Sequence, residues 1–234
     1  IIENHCKSLG LDVHGKDMFP ICGEFSQNLI AKAFGKEVPS CTKLEENIPV
    51  RPPIMCAGCP HRGMFYALSK LKVTVLGDIG CYTLGSVAPL SAMDMTLCMG
   101  ASISGLHGFN KALGKDAEAK TVAIIGDSTF MHSGMTGLAT VAYNQSNSTI
   151  IIVDNSITGM TGHQQNPTTG KNIKGDPATA VSLEKLCEAV GIKNVFVVDP
   201  YNLKETEDTI KNALSLNEAA VVISRRPCAL LKTV

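Results

Sequence analysis

The stretch Thr121-Val122-Ala123-Ile124-Ile125-Gly126-Asp127-Ser128 decides the fold. Val122 to Ile125 are consecutive apolar residues, the pattern of a strand buried on both faces. Gly126-Asp127-Ser128 closes that strand on a polar turn, and a small-residue run of helical character follows to about Asn144. The same phrase recurs along the chain. Val73–Leu76 runs into Gly77-Asp78-Ile79-Gly80, Thr149–Val153 into Asp154-Asn155, Val195–Val198 into Asp199-Pro200, and Ala220–Ile223 into Ser224-Arg225-Arg226-Pro227. Apolar strands alternating with helical segments predict an α/β fold with a mostly parallel sheet and helices on both faces. Ligands of such sheets bind beyond the carboxyl ends of the strands, where these polar turns are expected to lie.

The chain has 234 residues, 44% hydrophobic and 18% charged, which is enough to bury a sizeable core. Lys and Arg number 21 against 21 Asp and Glu, so the balance lacks the positive field of a nucleic-acid binder. No apolar run approaches the roughly 18 residues of a membrane span, and no basic-then-apolar leader opens the chain. A soluble, cytoplasmic protein is expected, with no nucleic-acid and no membrane partner. Residues 1–48 differ from the rest: Gly10, Gly15, Pro20, Gly23, Gly35 and Pro39 punctuate one helix expected around Ser26 to Phe34. We read 1–48 as a linker or the tail of a preceding domain, and 49–234, opening on Arg51-Pro52-Pro53, as the main domain. Since the chain begins at Ile1, a region upstream of it is expected.

Asp127 follows a buried strand and precedes a helix whose free N–H groups suit a phosphate. Asn155 occupies the equivalent turn one strand later. A carboxylate and a carboxamide are oxygen donors of the kind that hold Mg2+, which takes one or two carboxylates and completes its shell with carbonyls, water and phosphate. An N-cap role for Asp127 and a turn-forming role for Asn155 account for either residue taken alone.

Nine cysteines, an odd number, argue against a disulfide scaffold and turn attention to metal ligation. Cys56-Ala57-Gly58-Cys59 is a C-x-x-C, open to reading as a zinc half-site, a redox pair or an iron–sulfur half-site. Cys81 follows Gly77-Asp78-Ile79-Gly80, and Cys228 follows Arg226-Pro227, both at the informative sheet edge. Cys98 and Cys187 read as buried small residues within helices, and Cys6, Cys22 and Cys41 receive no role. His61 is a candidate cofactor contact or simply the start of a helix from Arg62 to Leu71. His132 and His163 are weaker candidates.

In combination, Gly126-Asp127-Ser128 and Asp154-Asn155 resemble the signature of thiamine diphosphate enzymes, with Ser in place of a Gly and Asp in place of the first Asn. The continuation Ser156-Ile157-Thr158-Gly159-Met160-Thr161-Gly162-His163-Gln164-Gln165-Asn166-Pro167-Thr168-Thr169 resembles the 2-oxoacid:ferredoxin oxidoreductases. So does the ordered set of C-x-x-C, Gly-x-Gly-Cys turn and late Pro-Cys. Cys56–Arg62, Gly77–Gly85, Met99–Ile103 and Arg226–Leu231 are similar to the branch acting on aryl pyruvates such as indolepyruvate, and the resemblance covers nearly the whole chain.

That resemblance implies the pyrophosphate-domain fold and three cofactors: thiamine diphosphate, Mg2+ and a 4Fe-4S cluster. It implies Mg2+ ligands in the Asp127 carboxylate, the Asn155 side chain and the Ile157 carbonyl. Gly126, Ser128, Thr161 and His61 would lie at the cofactor, and Cys56, Cys59, Cys81 and Cys228 would hold the cluster. The implied reaction joins indolepyruvate, coenzyme A and oxidised ferredoxin to give acyl-CoA, CO2 and reduced ferredoxin, with this chain part of the electron transport path. Its implied partners are a pyrimidine-binding domain or subunit, a second oxidoreductase subunit and ferredoxin. The glutamate that activates the cofactor is expected on the pyrimidine-binding partner, so no proton-transfer residue is nominated here. A different 2-oxoacid, a non-oxidative thiamine enzyme, and a noncatalytic metal-stabilised interaction domain are the alternatives.

Overall fold

The computed structural model describes residues 1–40 and 47–231, so Cys41 lies outside the described residues. The chain divides into two compact units, Ile1–Arg51 and Pro52–Val234. The first carries α1 (Ile2–Ser8) and α2 (Gln27–Ala33). α2 starts where expected because the Ser26 hydroxyl accepts the Leu29 N–H at 3.2 Å, satisfying one of the free donors of a first helical turn. Neither helix has a buried residue. Between them the rings of Phe19 and Phe25 lie 5.3 Å apart, and Lys16 Nζ sits 4.8 Å from the Phe25 ring centre.

The second unit runs α3 (His61–Leu71), β1 (Thr74–Gly77), a 3-10 turn (Cys81–Ser86), β2 (Met95–Thr96), α4 (Ala101–Leu113), α5 (Lys115–Glu118), β3 (Thr121–Gly126) and α6 (Asp127–Thr129). A π-helical turn (Phe130–Gly134) joins α6 to α7 (Met135–Tyr143) and is followed by β4 (Thr149–Asp154), α8 (Leu183–Ala189), β5 (Asn194–Val198), α9 (Leu203–Ser215) and β6 (Ala220–Arg225). The strands form one six-stranded sheet in the order β2-β1-β3-β4-β6-β5. Every pair is parallel, and the predicted α/β architecture is the one observed. Five strands were legible as apolar runs. β2 was not, because this two-residue edge strand is only partly buried and has no such run.

Each residue of β3 and β4 is buried, which explains why those strands read as unbroken apolar runs. Val122 and Ile124 share a core with Met64, Phe65 and Leu68 of α3 and Ile210 of α9. Ala123 and Ile125 point the other way, into a core with Ile103 and Leu106 of α4, Leu138 of α7 and Leu183 of α8. Helices on both faces therefore leave the carboxyl ends of the strands as the open edge. No helix among the described residues is long and apolar enough to cross a membrane.

Cys98 departs from its expected setting. It is exposed in the bend before α4 rather than buried within a helix, because Gly100, with φ of 87°, forces a turn that starts the helix only at Ala101. Cys187 is buried in α8 as read.

Candidate functional site

The carboxyl ends of β1, β3, β4 and β6 carry the predicted residues to one edge. β3 ends at Gly126, where a side chain would be crushed: a Cβ there would stand 2.6 Å from Tyr82 Cε1. The Tyr82 ring lies over this strand end, its hydroxyl donating to the Ile79 carbonyl at 3.0 Å. Gly126, not Asp127, is the N-cap, and Asp127 begins the helix. The Asp127 carboxylate accepts the Ser128 N–H at 2.8 Å and the Asn166 Nδ2–H at 3.3 Å. Burial, reinforced by the neighbouring Asp154, pushes the Asp127 carboxyl up to about 7. A carboxylate desolvated beside a second acid invites a cation.

One strand over, Asn155 is buried, with its side-chain oxygen accepting the Ile157 N–H at 3.4 Å. Its Nδ2 lies 3.5 Å from His61 Nε2. Ser128 Oγ accepts the Thr158 hydroxyl at 2.8 Å, joining the two turns. A cavity of about 110 Å³ is lined by Gly126, Asp127, Ser128, Asn155, Ile157 and Thr161, together with His61. All seven residues expected at the cofactor thus share one wall, although Thr161 is exposed and donates its hydroxyl to Gln164 Oε1.

The cysteines come together beside it. Cys56, Cys59, Cys81 and Cys228, drawn from the lead-in to α3, the end of β1 and the end of β6, line a second cavity of about 80 Å³. Burial pushes the Cys59 and Cys81 thiols up, and the neighbouring cysteines add to it, whereas the backbone N–H of His61 favours the Cys59 thiolate. Thiols so placed gain from a positive charge among them. Among the described residues, no three His, Cys, Asp or Glu side chains are gathered closely enough to hold a metal ion as they stand. His61, Cys81, Asn155 and Gly159 line both cavities. His61 opens α3 and lines both cavities. Its burial lowers it to about 4, so the ring is neutral at physiological pH. His132 is exposed in the π-helical turn and lines neither cavity, whereas His163, also exposed, reaches the rim of the cysteine cavity.

A family model described as thiamine pyrophosphate enzyme, C-terminal TPP binding domain, matches residues 78–224. The chain belongs to that family. Relatives extend the comparison. Indolepyruvate oxidoreductase subunit IorA of Pyrococcus horikoshii is 41% identical over 96% of this chain and 38% of its own length. The subunit of the same name from Archaeoglobus fulgidus is 40% identical over 98% and 40%. The chain therefore spans about two fifths of the length of these relatives. Among solved structures, the 2-oxoglutarate:ferredoxin oxidoreductase of Magnetococcus marinus superposes with a TM-score of 0.66, at 19% identity, over 79% of this chain and 67% of that one, a likeness of fold.

Three residues of this site escaped the sequence reading. Asn166 is buried 39 positions from Asp127 and holds its carboxylate. It lies in the irregular segment between β4 and α8, where no periodicity marks it. Tyr82 supplies the close approach at Gly126. Asp78 is fully buried and accepts the N–H groups of Gly100 at 2.9 Å and Ser102 at 3.2 Å, pinning the end of β1 to the first turn of α4. Gly77-Asp78 after an apolar strand was the signal for this last residue, since it repeats the Gly126-Asp127 pattern.

Proposed function

We propose that this chain is the thiamine-diphosphate-holding part of a ferredoxin-dependent oxidoreductase of aryl pyruvates. The observation that carries the reading is the meeting of Cys56, Cys59, Cys81 and Cys228 around one cavity that shares a wall with the Asp127–Asn155 site. The names of the relatives support the substrate, indolepyruvate. In this reading Asp127, Asn155 and the Ile157 carbonyl hold Mg2+, with Gly126, Ser128, Thr161 and His61 around the diphosphate. The raised Asp127 carboxyl fits, because a divalent ion supplies the charge that burial withholds. When bound, thiamine diphosphate supplies the carbon centre at which a 2-oxoacid loses CO2. The chain's own part is to anchor the diphosphate and set the metal's oxygen donors, with His61 in the wall between the two cavities.

A 4Fe-4S cluster suits the cysteines better than zinc. Zinc draws four ligands to one ion, with sulfur at about 2.3 Å, whereas a cluster takes one thiolate per iron and tolerates thiols spread around a cavity. The full reaction, indolepyruvate with coenzyme A and oxidised ferredoxin to acyl-CoA, CO2 and reduced ferredoxin, requires a pyrimidine-binding domain or subunit to bring the activating glutamate. A second oxidoreductase subunit completes the assembly, which we place in the cytoplasm, without nucleic-acid or membrane partners.

Two measurements test the reading. Calorimetry of the chain with thiamine diphosphate should show binding that requires Mg2+ and is lost in Asp127→Ala. Anaerobic reconstitution should load close to four irons per chain, by the one-thiolate-per-iron rule. Stoichiometric zinc without cofactor binding would instead favour the noncatalytic interaction domain.

A further inference from the structure

The cofactor turn and the last cluster cysteine are attached to neighbouring strands. β4 and β6 pair in parallel with Asp154 opposite Arg225. Past that point the two chains continue to hold each other: Arg226 N–H donates to the Asp154 carbonyl at 3.0 Å, and Cys228 N–H donates to the Asn155 carbonyl at 2.9 Å. The residue expected to ligate Mg2+ and a residue expected to ligate the cluster are thus joined by one backbone hydrogen bond. A second bridge runs from Asn155 Nδ2 to His61 Nε2, and His61 lines the cysteine cavity together with Cys59.

The turn between these bridges is not relaxed. Ser156 has φ of 59°, in the left-handed region that a non-glycine residue occupies at a cost of about 1 kcal/mol or more. Such a conformation persists only where its surroundings impose it. Here the imposing group is the Asp154 carboxylate, whose Oδ1 accepts both the Ser156 N–H at 3.0 Å and the Ser156 hydroxyl at 3.4 Å. The other oxygen, Oδ2, accepts Arg225 Nε–H at 2.7 Å. Both terminal nitrogens of Arg225 go to the Glu184 carboxylate on α8. The guanidinium therefore uses its planar fork to fasten Asp154 to a helix packed on the sheet, a geometry lysine cannot reproduce. Asp154 is buried, so without Arg225 its charge would lose its only ion-pair partner among the described residues.

We propose that Arg225 is a positioning residue which, by fastening Asp154, holds the turn Asn155–Ile157 against Cys228, so that filling the diphosphate site and filling the cysteine cavity reinforce one another. The inference rests on the proposed function, because it takes both sites to be loaded. Its signature is linkage: a group that orders the shared turn lowers the ordering cost for the other, and the coupling is reciprocal.

The test measures thiamine diphosphate binding with Mg2+ by calorimetry on the 234-residue chain, before and after anaerobic reconstitution with iron and sulfide. In the unaltered chain, reconstitution should tighten binding at least about fivefold, the lower end of ordinary coupling. Arg225→Gln should weaken binding and bring the ratio of the two affinities close to one. Arg225→Lys keeps the charge without the fork and should restore part of the ratio. A role confined to stability would lower the unfolding temperature and leave the ratio intact. Should Arg225→Gln fail to fold, Glu184→Gln, which loosens the fork from outside the turn, should reduce the ratio in the same direction. Lys204→Gln, breaking the exposed Lys204–Asp208 pair, should leave it unchanged. An unaltered chain that takes up both groups with a ratio of one overturns the inference, as does a folded Arg225→Gln with the full ratio. Failure of the unaltered chain to take up thiamine diphosphate or iron overturns the underlying reading of the site instead.

Discussion

Replacing Asp127 by Asn should make the metal-free protein more stable while abolishing its use of Mg2+. The carboxyl is held at about 7 against an ordinary value of 3.8, a rise of roughly three pH units, and at about 1.4 kcal/mol per unit this costs the folded state about 4 kcal/mol once the group is ionised. The amide removes that cost but brings one of its own. The substituted side chain would keep an oxygen for the Ser128 N–H while turning an NH2 toward the NH2 of Asn166. Asn166 cannot reverse its amide freely, because its Oδ1 already accepts the N–H and hydroxyl of Thr168 at 2.9 and 2.7 Å. Setting about 1–3 kcal/mol against the gain for this mismatch leaves a net stabilisation of about 2 kcal/mol, or about 4–8 °C for a domain of this size.

The pH dependence distinguishes this account from any generic effect. For an acid whose folded pKa is raised, the unfolded chain releases its proton first. Stability is therefore lost as pH rises from about 4 to about 7, and is level above that. The advantage of Asp127→Asn should be absent at about pH 4, open across that window and be complete at about pH 8. Thermal unfolding followed by circular dichroism in the presence of a chelator, at closely spaced pH values, reads it directly. A difference that stays constant across the window, or a variant less stable at about pH 8, would refute the claim that Asp127 is a buried charge awaiting a cation.

Other outcomes are expected. Cys56→Ser, Cys59→Ser, Cys81→Ser and Cys228→Ser should each lower the iron content and visible absorbance of reconstituted protein, while the exposed Cys98→Ser should not; equal loss in that control would remove the four-cysteine assignment. Gly126→Ala drives a methyl into the Tyr82 ring and should cost about 1–3 kcal/mol in denaturant titration, with Tyr82→Leu in the same chain recovering part of it; wild-type stability for Gly126→Ala would contradict the packing. With any 2-oxoacid the chain by itself should be catalytically silent, and coenzyme-A-dependent turnover by it would show that the activating carboxylate lies within these residues.

Much of this molecule was decided locally. Strands β3 and β4 are buried on both faces, so their apolar runs are visible in one dimension, and parallel pairing follows from the helices that intervene. The polar turn after each run marks a strand end, and strand ends of a parallel sheet share an edge, so Asp127, Asn155, Cys81 and Cys228 could be gathered by inspection. What stayed hidden depends on distance in the chain. Whether Asp127 caps its helix or begins it depends on where β3 gives way to the helix, and the carboxylate's partner Asn166 arrives from a loop with no periodicity to place it. Cys98 looked like any small buried thiol until the turn at Gly100 put it outside α4. The pairing of Asp154 with Arg225 could not be read at all, because it depends on the parallel register of β4 and β6, strands separated in sequence by α8, β5 and α9. Hydrophobic period and turn chemistry are properties of neighbours in the chain and survive in the sequence. Register, burial of a charge and the partner that compensates it arise only when distant segments share a sheet.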